Sequence, residues 1–221
     1  MLELGAGAGL PSLISAHLFA KRVVVTDYPD ADLITNLSYN IEACAPSLPI
    51  VAKGYLWGAD PSSLIEEVKP DDAFDVLILA DLLFNHSEHG KLVQTVTKSL
   101  KKDGTALVFF TPYRPWLLQK DLAFFDLAKE NGLVVEKVLE KVMDKVMFEE
   151  DPGVRSFLLR SFLLVLTLLF PGRTSAPHRL RLRDEMGINT DLQGKSFDHG
   201  SQVMTCLRRI SRHLHVNSLC T

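Results

Sequence analysis

Cysteine is scarce: 3 in 221 residues, at Cys44, Cys206 and Cys220, with no metal-ligand spacing among them. That argues against a disulfide-stapled fold or a zinc ribbon and suits a reducing, cytoplasmic setting. No basic region precedes the first apolar residues, so the N-terminus does not read as a signal peptide. The longest apolar core, Phe162 to Phe170 with Thr167 its only polar member, falls far short of the roughly 18–20 residues of a membrane span. No membrane partner is expected. Arginine is nearly missing from residues 1–153, which hold 12 Lys and 2 Arg, and lysine from residues 154–221, which hold 1 Lys and 9 Arg. What is present is a globular composition, 47% hydrophobic and 23% charged. A chain of this length buries roughly 70% of its unfolded surface, enough for a core without staples.

Charge divides the chain at the same place. Residues 1–153 carry 14 Lys+Arg against 23 Asp+Glu, a net of −9, and residues 154–221 carry 10 against 4, a net of +6. The acidic body suits a basic protein partner and argues against nucleic acid. The arginines of the tail favour phosphate, yet so abrupt a switch in the kind of base resembles a translated intron or a shifted reading frame more than a module. Residues 154–221 are expected to be an atypical basic tail and not a domain.

Within the body, strands and helices alternate. Val23 to Thr26 is a β-branched run closed by Asp27, and Leu48 to Ala52 is a weaker extended segment. Phe74 to Ala80 and Thr105 to Phe110 are near-continuous apolar runs, as strands buried on both faces require. Helical spacing covers Leu10 to Ala20, Ala31 to Cys44, His89 to Leu100 and Trp116 to Asn131, with Asp103-Gly104 read as the stop of the third. Leu133 to Phe148, rich in valine after Asn131-Gly132, reads as a long edge strand that turns at Asp151-Pro152-Gly153 into an antiparallel partner. The alternation predicts an α/β fold, a doubly wound and mostly parallel Rossmann-like sheet.

The loop Glu3-Leu4-Gly5-Ala6-Gly7-Ala8-Gly9 sits between a short strand start and the first helix. Glycines there let the backbone turn tightly and approach a nucleoside, although tight turns after strands use glycine for structural reasons alone. Asp27 ends the second strand eighteen residues beyond Gly9, where a carboxylate accepts hydrogen bonds from ribose hydroxyls. The spacing is G-x-G-x-G, not the G-x-G-x-x-G of nicotinamide cofactors, and Glu3 precedes it. That carboxylate repels a pyrophosphate and suits a ligand carrying an ammonium and a sulfonium. The reading is S-adenosylmethionine. His86 and His89, with Glu88 alongside, resemble a metal pair, but no third and fourth ligands recur at sensible spacing, so no metal is expected.

Several motifs occur in one order: Glu3-Leu-Gly-Ala-Gly-Ala-Gly9-Leu-Pro, Val25-Thr-Asp-Tyr-Pro-Asp30, Asn36-Leu-Ser-Tyr-Asn40-Ile, Gly54-Tyr-Leu-Trp57-Gly58 and Ala80-Asp-Leu-Leu-Phe-Asn-His-Ser-Glu-His89. Together they resemble the seven-strand S-adenosylmethionine-dependent methyltransferases of the lysine-methylating group, over residues 1–153. Within that group the resemblance is to nicotinamide-methyltransferase-like fungal members that act on translation elongation factor 1-alpha. It implies a cytoplasmic monomer methylating an N-terminal α-amine and/or a lysine of that factor. Gly5, Ala6 and Gly7 are implied to line the methionine and ribose, Asp27 to take the ribose, Trp57 to lie against adenine and Ala80 to contact the cofactor from the fourth strand. Asp81, at the C-terminal edge of an open sheet where ligands collect, reads as the catalytic residue that holds the incoming ammonium, with a helix or turn cap as the alternative. Tyr113 and Arg114 either position a substrate or shape their loop.

The chemistry asked of the chain is modest. A sulfonium methyl is already activated, so the site mainly aligns an amine lone pair. An α-amine, with a pKa of about 7.7–8.0 against about 10.4 for lysine, needs less help to lose its proton.

Both ends depart from the group. Only Met1-Leu2-Glu3 stand before the loop where a strand should be under way, so the first strand is expected to be truncated at an internal start. After Gly153 the resemblance stops, and the seventh strand is expected to be absent or replaced, leaving Val134 to Phe148 unpaired. Two other readings stay open: a small-molecule amine methyltransferase of nicotinamide type, and a truncated cofactor-binding protein without catalysis.

Overall fold

The computed structural model describes residues 1–18, 20–112, 114–142 and 160–168. Strands β1 (Leu2–Leu4), β2 (Val23–Asp27), β3 (Ile50–Gly54), β4 (Phe74–Ala80), β5 (Leu100–Phe110), β6 (Leu133–Val142) and β7 (Arg160–Leu168) form one sheet in the order β3-β2-β1-β4-β5-β7-β6. The first five are parallel to one another, and β7 runs antiparallel between β5 and β6. Helices α1 (Leu10–His17), α2 (Ala31–Cys44), α3 (Ser62–Ile65), α4 (His89–Ser99) and α5 (Leu118–Glu130) supply the crossovers. This is the α/β sheet that the alternation predicts.

The two faces are packed by different helices. Leu2 and Leu4 of β1 share a core with Leu77 and Leu79 of β4, Ala106 and Val108 of β5, and Leu92, Val96 and Phe124 from α4 and α5. Glu3 and Val25 point the other way, toward Ser12 of α1 and Leu37 of α2. A helix begins at Ala31 because the Asp30 carboxylate accepts the N–H groups of Asp32 (2.9 Å) and Leu33 (3.3 Å), two donors with no partner inside the helix.

Three expectations need correction. A seventh strand is present: Arg160–Leu168, on the tail side of Gly153, pairs with β5 from Thr105↔Thr167 to Phe110↔Phe162 and with β6 from Leu133↔Leu168 to Val142↔Arg160. Leu164 and Leu166 are buried in the core, so a run with no apolar–polar alternation is nevertheless held in register by neighbours on both sides. The described residues all fall within one compact unit, Met1–Leu168. Second, Asp103-Gly104 does not separate a helix from a strand. β5 starts at Leu100 and passes through Gly104, where a Cβ would stand 3.0 Å from the carbonyl oxygens of Phe74 and Asp75, beside a register shift in β4. Third, β4 and β5 are fully buried on one face only. Ile78 and Leu107 are half-buried on the other, and Phe109 is 42% exposed.

β1 is three residues long, and β6 closes the sheet as the valine-rich edge strand read from sequence, with an antiparallel partner. Phe19, Tyr113 and residues 143–159 and 169–221 lie outside the described residues, and with them the Asp151-Pro152-Gly153 turn and most of the basic tail.

Candidate active site

Hydrogen bonds within the loop and to its neighbours shape the glycine loop. The Ala6 N–H donates to the Thr26 carbonyl (2.9 Å), and the Thr26 hydroxyl donates to the Glu3 carbonyl (2.8 Å). The Gly7 N–H donates to Asp27 Oδ2 (2.6 Å), and the Asn40 side-chain amide donates to the Ala8 carbonyl (3.0 Å). Beneath the loop, the Ser12 N–H donates to Glu3 Oε2 (2.9 Å). Asn40 is a buried polar residue whose purpose is visible only in three dimensions: from α2 it fixes the backbone of a loop 32 positions away.

Asp27 stands at the C-terminal end of β2, partly exposed, with Oδ1 accepting the Tyr28 N–H (2.7 Å). Each carboxylate oxygen carries two lone pairs, so both retain an acceptor direction beyond these backbone donors. Gly7, at φ 55, has nothing within 4 Å of where a Cβ would lie, an open space over the loop. Trp57 is reached from the other side. The Tyr55 N–H donates to the Asp27 carbonyl (2.8 Å), the Gly58 N–H donates to the Thr95 hydroxyl oxygen (2.8 Å), and the indole packs so close that a Cβ on Gly5 would lie 3.1 Å from its Cζ2. Gly5, Gly7, Asp27 and Trp57 therefore converge, with Ala80 half-buried at the end of the adjoining strand β4.

Glu3 does not face this crevice. It is 1% exposed and turned into α1, so it supports the loop from below. Burial pushes its carboxyl up to about 7, against the lowering effect of its bonds to Ser12. A carboxyl whose folded pKa is raised contributes stability below its unfolded value, and this contribution is lost as pH rises through the folded one. Urea melts at pH 5 and pH 9 are therefore expected to show the wild-type chain losing about 3 kcal/mol that Glu3→Gln does not lose. Parallel pH dependence of the two proteins would contradict this.

A cavity of about 320 Å³ opens past the ends of β4 and β5, lined by Leu83, Phe84, Phe110 and Leu117 together with Asp81, His86, Thr111, Arg114 and Asp121. Asp81 follows β4 in the left-handed region at φ 61, a strained backbone for any residue but glycine, asparagine or aspartate. Its N–H donates to the Phe109 carbonyl (2.7 Å), and its Oδ1 accepts the Thr111 N–H (3.3 Å). Burial raises its carboxyl, and the neighbouring Asp121 raises it further against the lowering effect of the Thr111 bond. Leu82, next in the chain, lies 2.6 Å from a Cβ built on Gly5, so cavity and loop adjoin.

Asp121 was invisible to sequence reasoning. It lies on α5, is 6% exposed and takes His86 Nε2 at 2.6 Å. His89, neutralised by burial, bonds through Nε2 to the Leu83 carbonyl (2.9 Å) and packs edge-on against His86 and Phe124. The two histidines thus anchor the segment after β4. Among the described residues no group of three or more His, Cys, Asp or Glu is placed to hold a metal ion, and no helix is long and apolar enough to cross a membrane.

A family model described as lysine methyltransferase matches residues 1–131. The chain belongs to the lysine methyltransferase family. Its curated relatives include the protein N-terminal and lysine N-methyltransferase efm7 of Neurospora crassa, 53% identical over an alignment of 167 positions, with 69% of this chain and 59% of the relative covered. The chain therefore spans less than two thirds of that relative's length. Solved structures share the fold of this lysine methyltransferase family member at low identity. The YcgJ protein of Bacillus subtilis superposes with a TM-score of 0.59 at 14% identity, covering 77% of this chain and 92% of that one. The arsenic (III) S-adenosylmethionine methyltransferase CrArsM of Chlamydomonas reinhardtii does so with a TM-score of 0.55 at 17% identity, covering 79% and 64%.

Proposed function

We propose that the protein transfers a methyl group from S-adenosylmethionine to a protein amine, an N-terminal α-amine and/or a lysine of elongation factor 1-alpha. One observation carries the reading: two carboxylates, Asp81 and Asp121, share a single apolar-walled cavity beside the glycine loop. Arg114 and His86 line it too, and His86 is paired with Asp121, so Asp81 is the carboxylate offered to an ammonium group. The name of the Neurospora relative supports the protein amine, and the resemblance of the motifs at Asp27, Trp57 and Asp81 to those of elongation-factor methyltransferases supports the partner. The net −9 of residues 1–153 supports a basic protein over nucleic acid. On this reading the protein works as a cytoplasmic monomer.

The residues fit the cofactor. Gly7 leaves room for a ligand to approach the backbone, and Asp27 keeps acceptor directions for two ribose hydroxyls. Trp57 offers an aromatic ring beside Gly5, and Ala6 and Ala80 are small and half-buried. When bound, the cofactor supplies an electrophilic methyl on a cationic sulfur. Asp81 holds the arriving ammonium by charge-assisted hydrogen bonds, and the apolar walls favour its neutral form. Once neutral, the amine needs only alignment.

Asp27→Ala removes the ribose acceptor, and a charge-assisted hydrogen bond of this kind is worth roughly 1.5–3 kcal/mol. Calorimetry with S-adenosylhomocysteine is expected to show binding weakened about tenfold or more. Binding of NAD in preference to S-adenosylhomocysteine would remove the cofactor assignment.

A further inference from the structure

Three side chains in the cavity can take a proton from an incoming ammonium: Asp81, Asp121 and His86. Arg114 cannot, since a guanidinium stays protonated. Asp81 is held by the Thr111 N–H and sits where the ammonium is bound. His86 differs from both acids, because a neutral imidazole carries a donor on one ring nitrogen and an acceptor on the other. Its Nε2 is 2.6 Å from Asp121 Oδ1, and a carboxylate only accepts, so Nε2 carries the hydrogen, and in the neutral ring Nδ1 keeps a lone pair. The charged and titratable groups around the ring, among the described residues, are Asp121 of α5, Asp81 after β4, Arg114 after β5, Glu88 of its own turn and His89 of α4. His89 is committed to the Leu83 carbonyl.

We propose that His86 is the proton acceptor of the site and that Asp121 is the positioning residue that fixes its tautomer. The proposal rests on the amine-methyltransferase reading above. The N–H bond of the ammonium breaks, and its proton passes to His86 Nδ1, directly or through one water. The electron pair stays on the amine nitrogen. That nitrogen then forms a bond to the methyl carbon of a sulfonium donor as the carbon–sulfur bond breaks, its electrons going to sulfur. The imidazolium, stabilised by Asp121, returns its proton to solvent after product leaves. An acid–histidine pair orients an imidazole in this way in other enzymes.

The alternative role for the pair is a clamp that ties the turn His86–Glu88 to α5. The test separates the two on the full chain, using a peptide with a free N-terminal amine and S-adenosylmethionine. General-base catalysis contributes roughly 10²–10⁴-fold, so His86→Gln and Asp121→Asn are expected to lower kcat about 100-fold at pH 7. At pH 9.5 the α-amine is already neutral, and the deficit is expected to shrink to within about threefold. Two readings do not depend on turnover. Nitrogen-15 spectra of the ring are expected to show His86 as the Nε2–H tautomer, a preference lost in Asp121→Asn, and S-adenosylhomocysteine is expected to bind both variants as it binds wild type. A deficit equal at both pH values, or an Nδ1–H tautomer in wild type, overturns the proton role and leaves the methyltransferase reading standing. A wild-type chain that methylates no amine removes both.

Discussion

Replacing Asp81 by Asn is expected to lower kcat/KM for the amine acceptor roughly a hundredfold or more while the fold and cofactor affinity are retained. The magnitude follows from leaving an ammonium beside a neutral amide at a half-buried position, and a hundredfold sits at the lower end of the about 2–5 kcal/mol that losing one partner of a buried charge pair costs. The choice of Asn follows from the backbone. At φ 61 the position tolerates Asp, Asn and Gly, and a β-branched residue such as Val would add strain of about 1–2 kcal/mol that confuses stability with chemistry. Asp81→Asn and Asp81→Gly should therefore melt close to wild type yet share the kinetic defect. If either transferred methyl groups at the wild-type rate, the ammonium would have to be held elsewhere. Thermal melts and steady-state rates on the same preparations make the comparison.

Gly5→Ala is expected to damage fold and ligand binding together, whereas Gly7→Ala is expected to damage binding far more than fold. Both glycines are left-handed, at φ 58 and φ 55, so both substitutions carry similar backbone strain. Only Gly5 is crowded. Its new methyl would meet Leu82 Cδ2 at 2.6 Å and Trp57 Cζ2 at 3.1 Å, and Leu82 is buried with little room to retreat. Overpacking of this kind costs about 1–3 kcal/mol beyond the strain, and any retreat moves the Trp57 face and the Asp81 segment with it. At Gly7 the methyl enters open space, the space proposed for the ligand. Denaturant melts should rank Gly5→Ala clearly below Gly7→Ala, and calorimetry with S-adenosylhomocysteine should find both weakened at least tenfold. Equal stabilities would mean that the Leu82 contact yields freely.

How much of this was legible in the sequence depended on whether the signal was local. Phe74–Ala80 could be read to the residue because six of its seven positions are apolar and Asp81 ends the run. Ala31–Cys44 could be read because Asp30 caps a helix with regular apolar spacing. The convergence of the glycine loop, Asp27 and Trp57 was legible for a similar reason, each lying at a strand end of a parallel sheet. Strand β7 was not, since Phe162 to Phe170 is apolar but for Thr167 and shows no alternation, and its pairing with β5 and β6 joins separate stretches of the chain. Glu3 was misread because spacing alone does not tell which way a residue beside a loop points. Asp121 was hidden on an ordinary amphipathic helix, with its partner His86 35 positions earlier. Local chemistry was readable, and pairings across elements were not.

Methyl transfer to a protein amine is measured by incubating the full chain with elongation factor 1-alpha lacking its methylation and with methyl-labelled S-adenosylmethionine, then mapping the label by mass spectrometry. Label is expected on the N-terminal amine and/or a lysine of the factor, dependent on Asp81 and absent when Asp27 is replaced by Ala at low cofactor concentration. A chain that binds S-adenosylhomocysteine yet places no label on any amine of the factor, while methylating a small amine such as nicotinamide, would contradict that expectation.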